Sequence, residues 1–256
     1  MLFEKPSTRT RVSFETGMLQ LGGHTINLAL SDMQHSRGES VEDTAKTLSG
    51  YVDAIMARVY EHDFIEKLAK HATVPVINGL SNSFHPCQTL ADMMTIKEQF
   101  GAFKDLKIAW VGDGNNVCNS LIFGCSKTQT KISIATPNGF EPDSEVVKKA
   151  SKNTTVDLTT DPKSAVKDAD IVMTDTFTSI HTSDPKRNEK FLPAFQVNDS
   201  LMEKAKNDAI FMHCLPAKRE QEVTSSVIDG PQSVVWDEAE NRLHSQKALL
   251  LSLLSI

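Results

Sequence analysis

No run of eighteen apolar residues occurs in this 256-residue chain, so a membrane-spanning helix is not expected. Basic charge is also short: 27 Lys and Arg stand against 33 Asp and Glu, for a net charge of -6. A general nucleic-acid surface needs the opposite balance. The opening residues, MLFEKPSTRTR, lack the apolar core of a signal peptide. Cysteine is scarce, and Cys87, Cys118, Cys125 and Cys214 form no C-x-x-C pair. The simplest reading is reduced thiols in a cytosolic protein, with no disulfide framework and no zinc site. No internal repeat or low-complexity tract appears.

What remains is an ordinary globular balance, with short β-branched runs alternating with helix-like segments. Helices are expected over Val12–Leu21, from Ser40 to about Gly50, over Gln88–Phe100, over Asn115–Lys127 and over Ala239–Leu254. Strands are expected at Thr25–Leu30, Asp53–Val59, Val74–Asn78, Leu106–Val111, Lys131–Ala135, Val156–Leu158, Ile171–Thr174, Ala209–His213 and Val234–Trp236. Ser40 with Asp43 resembles a capping box. This alternation predicts an α/β protein of two domains, each with a mainly parallel sheet flanked by helices. The break at Gly101–Lys104 sets the division: 1–103, then 104–238, with 239–256 a C-terminal helix. Ligands of such sheets bind beyond the carboxyl ends of the strands.

Seven polar clusters sit at such positions. Ser7-Thr8-Arg9-Thr10-Arg11 precedes a helix, so hydroxyls, guanidinium groups and free N–H groups converge on one anion-sized spot. Taken alone, the run is more simply a solvated, well-capped helix start. Arg58 ends an apolar strand, and an exposed strand-end arginine is about as plausible a reading as a ligand. His85-Pro86-Cys87-Gln88 lies between a strand and a helix, where His and Gln can bind an oxygen and an amide. Gly112-Asp113-Gly114 resembles half a dinucleotide fingerprint, but Val117 stands where the third glycine belongs. A tight turn presenting Asn115 or Asn116 to a small ligand is preferred. Asp175 and Ser179 suit an ammonium group. His213-Cys214-Leu215-Pro216 ends another strand. Arg242, before the last apolar stretch, either faces a cleft or pairs with Glu238, and locally the ion pair is the simpler reading. Together the seven meet what a site between two α/β domains requires.

The set S-T-R-T-R at 7–11 and H-P-C-Q at 85–88 resembles the aspartate/ornithine carbamoyltransferase family, with H-C-L-P at 213–216 matching its ornithine-type branch. The resemblance runs from Phe3 to the last helix. It implies a carbamoyl-phosphate domain, an ornithine domain, and a last helix that crosses back to the first. The implied reaction is carbamoyl transfer from carbamoyl phosphate to the δ-amine of ornithine, giving citrulline and phosphate. Ser7, Thr8, Arg9 and Thr10 would hold the phosphate. Arg58, His85 and Arg242 would contact carbamoyl or phosphate oxygens, and Gln88 the carbamoyl amide. Asn116 would hold the ornithine carboxylate, and Asp175 and Ser179 its α-ammonium. Ile180 would act through its backbone N–H, and Cys214 with the Leu215 carbonyl would lie by the reacting amine. Arg58, His85, Cys214 and Arg242 are the catalytic expectations. No cofactor, metal, nucleic acid or membrane is implied; a homotrimer or assembly of trimers, in the cytoplasm, is.

The chain departs from the family pattern in three places, of which Ala217 after H-C-L-P, where some members have Arg, weighs little because both forms occur. The substrate loop reads Phe177-Thr178-Ser179-Ile180-His181 rather than Trp-x-Ser-Met-Gly. That keeps open a carbamoyltransferase for another amine, such as putrescine or an N-acylornithine. The family's leading segment is also absent from this sequence, and the strand ahead of the phosphate cradle is expected to be largely missing. A catalytically silent subunit therefore stands as a second alternative, and a nicotinamide-dependent oxidoreductase, resting only on Gly112–Gly114, as a distant third.

Overall fold

The structure, a computed structural model, describes residues 1–178 and 186–254, apart from the side chain of His35. In chain order the elements are β1 (Leu2–Phe3), α1 (Thr8–Gln20), β2 (Leu28–Ala29), α2 (Val41–Ser49), β3 (Ile55–Arg58), α3 (His62–His71), β4 (Val76–Leu80), α4 (Pro86–Phe100), β5 (Lys107–Val111) and α5 (Asn116–Thr128). There follow β6 (Lys131–Ala135), α6 (Ser144–Ala150), β7 (Val156–Thr159), α7 (Pro162–Val166), β8 (Ile171–Thr174), α8 (Asp199–Met202), β9 (Ile210–His213), α9 (Ser225–Ile228) and α10 (Val235–Leu254). Two compact units result, residues 1–90 with 242–256, and residues 91–241. Both divisions fall inside helices, α4 and α10.

The first unit holds a four-stranded sheet in the order β2-β1-β3-β4, parallel throughout. Every residue of β3 is buried, as a strand covered on both faces requires. One core forms from Leu2, Ile55, Ala57, Ile65 and Leu68, and a second from Phe14, Met56, Ile77, Cys87 and Leu250. Of the strand expected to be largely missing ahead of the cradle, two residues form β1: Leu2 and Phe3 pair with β2 on one side and β3 on the other, and Ser7 follows the strand's carboxyl end. The edges of this sheet are β2 and β4.

The second unit holds a five-stranded parallel sheet in the order β7-β6-β5-β8-β9. The chain reverses direction across the sheet at β5, so β5 and β8 lie side by side with their carboxyl ends adjacent. That is the switch point at which a ligand crevice opens. The core below it includes Val111, Val172, Phe177, Phe191 and Phe211.

Three local expectations change. Thr8–Arg11 does not precede the first helix but forms its first turn. Ser7 is in extended conformation and its hydroxyl accepts the Thr10 N–H, so the cap lies four residues earlier than the apolar pattern indicated. The strand expected at Thr25–Leu30 shrinks to Leu28–Ala29, because Leu30–Asp32 turns as a 3₁₀ helix. Val234–Trp236 is not a strand. Ser233 alone bridges Phe211, and Val235 then opens α10 with Asp237 and Glu238 in the first turn, where acidic groups meet the positive helix end.

Candidate active site

In the first unit the expected phosphate residues meet at the carboxyl end of the sheet. Thr10 is fully buried on the first turn of α1, and its hydroxyl lies 3.4 Å from Arg58 Nη1 and 3.4 Å from Arg242 Nη2. Arg58 is the last residue of β3 and Arg242 sits on α10; both are buried. Arg242 also donates to Gln88 Oε1 at 2.9 Å and to Gln246 Oε1 at 3.0 and 3.2 Å. Gln246 in turn donates to Ser13 on α1 at 2.7 Å. The guanidinium is therefore held in one plane by acceptors on α4, α10 and α1, a geometry that flexible surface arginines lack. Thr8 and Arg9 are exposed, and their first-turn N–H groups have no partner inside the helix. Arg11 pairs with Glu15 one turn on at 3.5 Å, on the exposed face.

His85 is buried beside this cluster. Burial first, and then the charges of Arg242 and Arg58, hold its pKa well below the usual histidine value. It is a neutral imidazole at physiological pH, able to donate one N–H without carrying charge. The neighbouring Cys87 is a packing residue: burial raises its thiol to about 11, and its Sγ donates to the Asn78 carbonyl.

One member of this cluster escaped the sequence reading. Lys5, at the end of β1, is 1 % exposed, with its ammonium 3.6 Å from the centre of the Tyr60 ring. Burial and the neighbouring Arg58 lower its pKa to about 8. A lysine two residues before a polar motif reads as surface; only the two-sided pairing of β1 reveals that it points inward. Lys5 lies beside Arg58, and Arg58 shares the Thr10 hydroxyl with Arg242, so positive charge collects in a buried region, which favours binding of an anion.

In the second unit the expected amino-acid residues gather at the ends of β5, β8 and β9. Asn115 caps α5, its Oδ1 accepting from Val117 N and Cys118 N at 2.9 and 3.1 Å, while its Nδ2 donates to Asp175 Oδ2 at 2.8 Å. Asn116, the other asparagine expected at this turn, is buried at the start of the helix. Asp175 Oδ1 accepts from Thr176 N at 2.7 Å and from the Cys214 thiol at 3.2 Å. Burial, and then the Asp175 charge, raise the Cys214 pKa well above the ordinary thiol value, so Cys214 acts here as a neutral donor. Leu215 follows with a positive φ of 55°, a left-handed conformation that leucine rarely adopts. A buried network holds it there: Leu215 N–H donates to His213 Nδ1 at 2.9 Å, His213 Nε2 meets Glu222 Oε1 at 3.2 Å, and the His213 N–H donates to Glu238 Oε2 at 2.9 Å. Glu222, also missed from sequence, lies nine residues from its histidine and shows no local pattern. Ser179 and Ile180, with His181, lie outside the described residues.

Asp175, His213 and Cys214 bring one metal-ligand type of atom each within 4.8 Å of one another. Both ring nitrogens of His213 are engaged by Glu222 and the Leu215 N–H, while the protonated Cys214 thiol donates to Asp175, so these ligand-type atoms are committed to hydrogen bonds.

Two family models together cover nearly the whole chain. Residues 1–98 match the carbamoyl-P binding domain of aspartate/ornithine carbamoyltransferases, and residues 104–253 match their Asp/Orn binding domain. The chain is 64% identical over 253 residues to an ornithine carbamoyltransferase of Cenarchaeum symbiosum, covering 99% of this chain and 84% of that one. Against the Bacillus subtilis ornithine carbamoyltransferase it is 54% identical over 261 residues, covering 99% and 82%. The solved ornithine carbamoyltransferase of Pyrococcus furiosus superposes with a TM-score of 0.96 at 54% identity, covering all of this chain and 83% of that one. A buried cationic cluster on a helix N-terminus in one unit, an Asn–Asp–Cys cluster in the other, and matches to both domain models lead to one assignment: the chain belongs to the aspartate/ornithine carbamoyltransferase family.

Proposed function

We infer that this chain transfers a carbamoyl group from carbamoyl phosphate to the δ-amine of L-ornithine, giving citrulline and phosphate. The observation that carries this reading is the Thr10 hydroxyl flanked by Arg58 and Arg242, with Gln88 on the second arginine. Such a cluster suits a small dianion bearing a carbonyl and an amide. Relatives 50–64% identical over nearly the whole chain carry the name ornithine carbamoyltransferase, which favours ornithine as acceptor.

The chemistry follows from the groups. The N–H groups at the start of α1, with Ser7, Thr8 and Arg9, hold the phosphate against the positive helix end. Arg58, Thr10 and neutral His85 donate to the carbamoyl oxygen, whose charge grows as the amine attacks. A charged histidine would risk protonating the carbamoyl group; a neutral one only polarises it. Gln88 holds the carbamoyl amide. Arg242 stabilises the phosphate as the C–O bond to carbon breaks. In the second unit Asn116 takes the ornithine carboxylate and Asp175 and Ser179 its ammonium, with the Ile180 N–H adding a donor. Cys214 and the Leu215 carbonyl orient the attacking amine, which must arrive uncharged. The proton lost by the amine as the new C–N bond forms leaves on the departing phosphate, so citrulline and hydrogen phosphate are the products.

A homotrimer or assembly of trimers, a cytoplasmic setting and a place in arginine biosynthesis belong to the same reading. The four free thiols suit a reducing compartment. Light scattering tests the trimer. Citrulline formation from ornithine and carbamoyl phosphate tests the reaction, with putrescine and N-acetylornithine as competing acceptors; no citrulline, or a preference for either competitor, refutes the assignment.

A further inference from the structure

Arg187 belongs to no motif discussed above, yet it ties together the two turns that carry the second unit's site. Its Nε donates to the Phe177 carbonyl at 2.7 Å, and its Nη2 pairs with the Asp113 carboxylate. The guanidinium carbon lies 4.6 Å from the centre of the Phe140 ring and 5.6 Å from that of Phe191. Both partners of the ion pair are largely buried, with side chains 16% and 13% exposed.

The position of these contacts matters more than their number. Asp113 lies in the turn after β5, three residues before Asn116. Phe177 lies two residues after Asp175, beyond β8. The two turns approach so closely that a Cβ on Gly112, whose φ is +135°, would meet the Phe177 ring and the Thr174 hydroxyl at 3.2 Å. Asn115 and Asp175 form one bridge between them, at 2.8 Å. Thr174 Oγ1, donating to the Val111 carbonyl at 2.6 Å, ties the strand ends below them, and Arg187 adds a further bridge, reaching Asp113 on one turn and the Phe177 carbonyl on the second. Lysine cannot do this, because the two donors must leave one planar group in different directions while its face stacks on an aromatic ring.

We propose that Arg187 is a positioning residue for the amino-acid substrate, fixing the spacing between Asn116 and Asp175 and so the distance between the carboxylate and ammonium contacts. The proposal rests on the ornithine reading above. It makes Arg187 a determinant of selectivity for an α-amino acid over a simple diamine, without contact to the substrate. It also predicts that carbamoyl-phosphate binding, which uses the first unit, is untouched.

The test compares the parent with Arg187→Met, Arg187→Lys and the double variant Asp113→Asn/Arg187→Met. Losing a charged hydrogen bond at this point is expected to raise KM for ornithine about tenfold or more. KM for carbamoyl phosphate should stay within about twofold, and the preference for ornithine over putrescine should shrink by a similar factor to the ornithine effect. Arg187→Lys should recover part of the loss, since it keeps the charge opposite Asp113. The double variant removes both buried charges and should regain thermal stability while keeping the raised KM for ornithine. A purely structural ion pair predicts the reverse: the KM recovers together with stability. That result, or equal changes in both KM values, or an Arg187→Met protein that matches the parent, overturns the proposal. Should Arg187→Met fail to fold, the double variant alone decides between these outcomes. A parent that forms no citrulline overturns the functional reading and this proposal together, whereas a parent active on ornithine isolates the role of Arg187.

Discussion

The Cys214 thiol donates to the Asp175 carboxylate at 3.2 Å, and the burial and charge that make this bond also keep the thiol protonated. Cys214 therefore serves as a donor and not as a thiolate base. Cys214→Ala is expected to lower kcat/KM for ornithine about tenfold, the scale of one hydrogen bond to a charged group. Cys214→Ser, which keeps a donor, should retain most of the activity and leave the alkaline limb of the pH–rate profile in place. A shift of that limb in the serine variant refutes a permanently protonated thiol. Alkylation by iodoacetamide at pH 7 should be slow, because the reactive form is the thiolate.

His85 makes stability depend on pH in a definite direction. Its folded pKa is depressed, so between that value and the unfolded value of about 6.5 the unfolded chain binds more protons. Stability is then complete above about pH 6.5 and falls as the pH drops below it. Denaturant titrations from pH 7.5 to 5 should show this loss, and His85→Gln should flatten the part that His85 supplies. An equal slope in parent and variant removes His85 as the source. The same substitution should also reduce kcat, since the glutamine amide presents its donor from a different point.

Lys5, Arg58 and Arg242 impose a cost on the ligand-free first unit. Three buried cations repel one another, so removing one relieves the fold while weakening the anion site. Arg58→Met is expected to lower kcat by about 10²–10³, the usual loss of one oxyanion donor. Its melting temperature without ligand should equal or exceed that of the parent. Inorganic phosphate at 10–100 times its Kd should stabilise the parent by about 1.4–2.7 kcal/mol and the variant far less. Equal stabilisation of the two proteins by phosphate rules Arg58 out of the anion site.

Much of this arrangement is legible in the residues themselves. Strand–helix alternation yields parallel sheets, and S-T-R-T-R, H-P-C-Q and H-C-L-P each fall at a strand end or helix start, where free N–H groups collect. The failures have local causes. Thr8–Arg11 carries no apolar periodicity, so the apolar pattern starts the first helix at Val12, although a serine cap announces the earlier start. Val234–Trp236 reads as a strand by β-branching, yet only Ser233 pairs. Lys5, Glu222 and Arg187 left no trace in sequence because each acts through partners supplied by the fold: the Tyr60 ring, a histidine nine residues away, and a carboxylate 74 residues away. Buried charge is the least readable part of a site, since sequence shows the charge and hides the burial.

Glu222 shows what such a hidden residue contributes. Its carboxylate is fully buried against His213 Nε2, and His213 Nδ1 in turn accepts the N–H of Leu215. With Nδ1 accepting, the ring proton sits on Nε2 and points at Glu222. Glu222 also accepts the Lys218 N–H, which closes the turn from 213 to 218. Leu215, held at φ 55°, stays in a conformation that costs about 1–3 kcal/mol only because this turn is fixed at both ends. Glu222→Leu strands the Nε2 proton in a dry core and should destabilise the protein by about 1–3 kcal/mol. Glu222→Gln keeps the one oxygen that accepts from both His213 Nε2 and Lys218 N–H but loses its charge, so its loss should be smaller. Both variants should raise KM for ornithine, since Cys214 and Leu215 are displaced together, while KM for carbamoyl phosphate stays near the parent value. Equal stability in parent and Glu222→Leu contradicts the network, and an unchanged KM for ornithine separates it from the acceptor site.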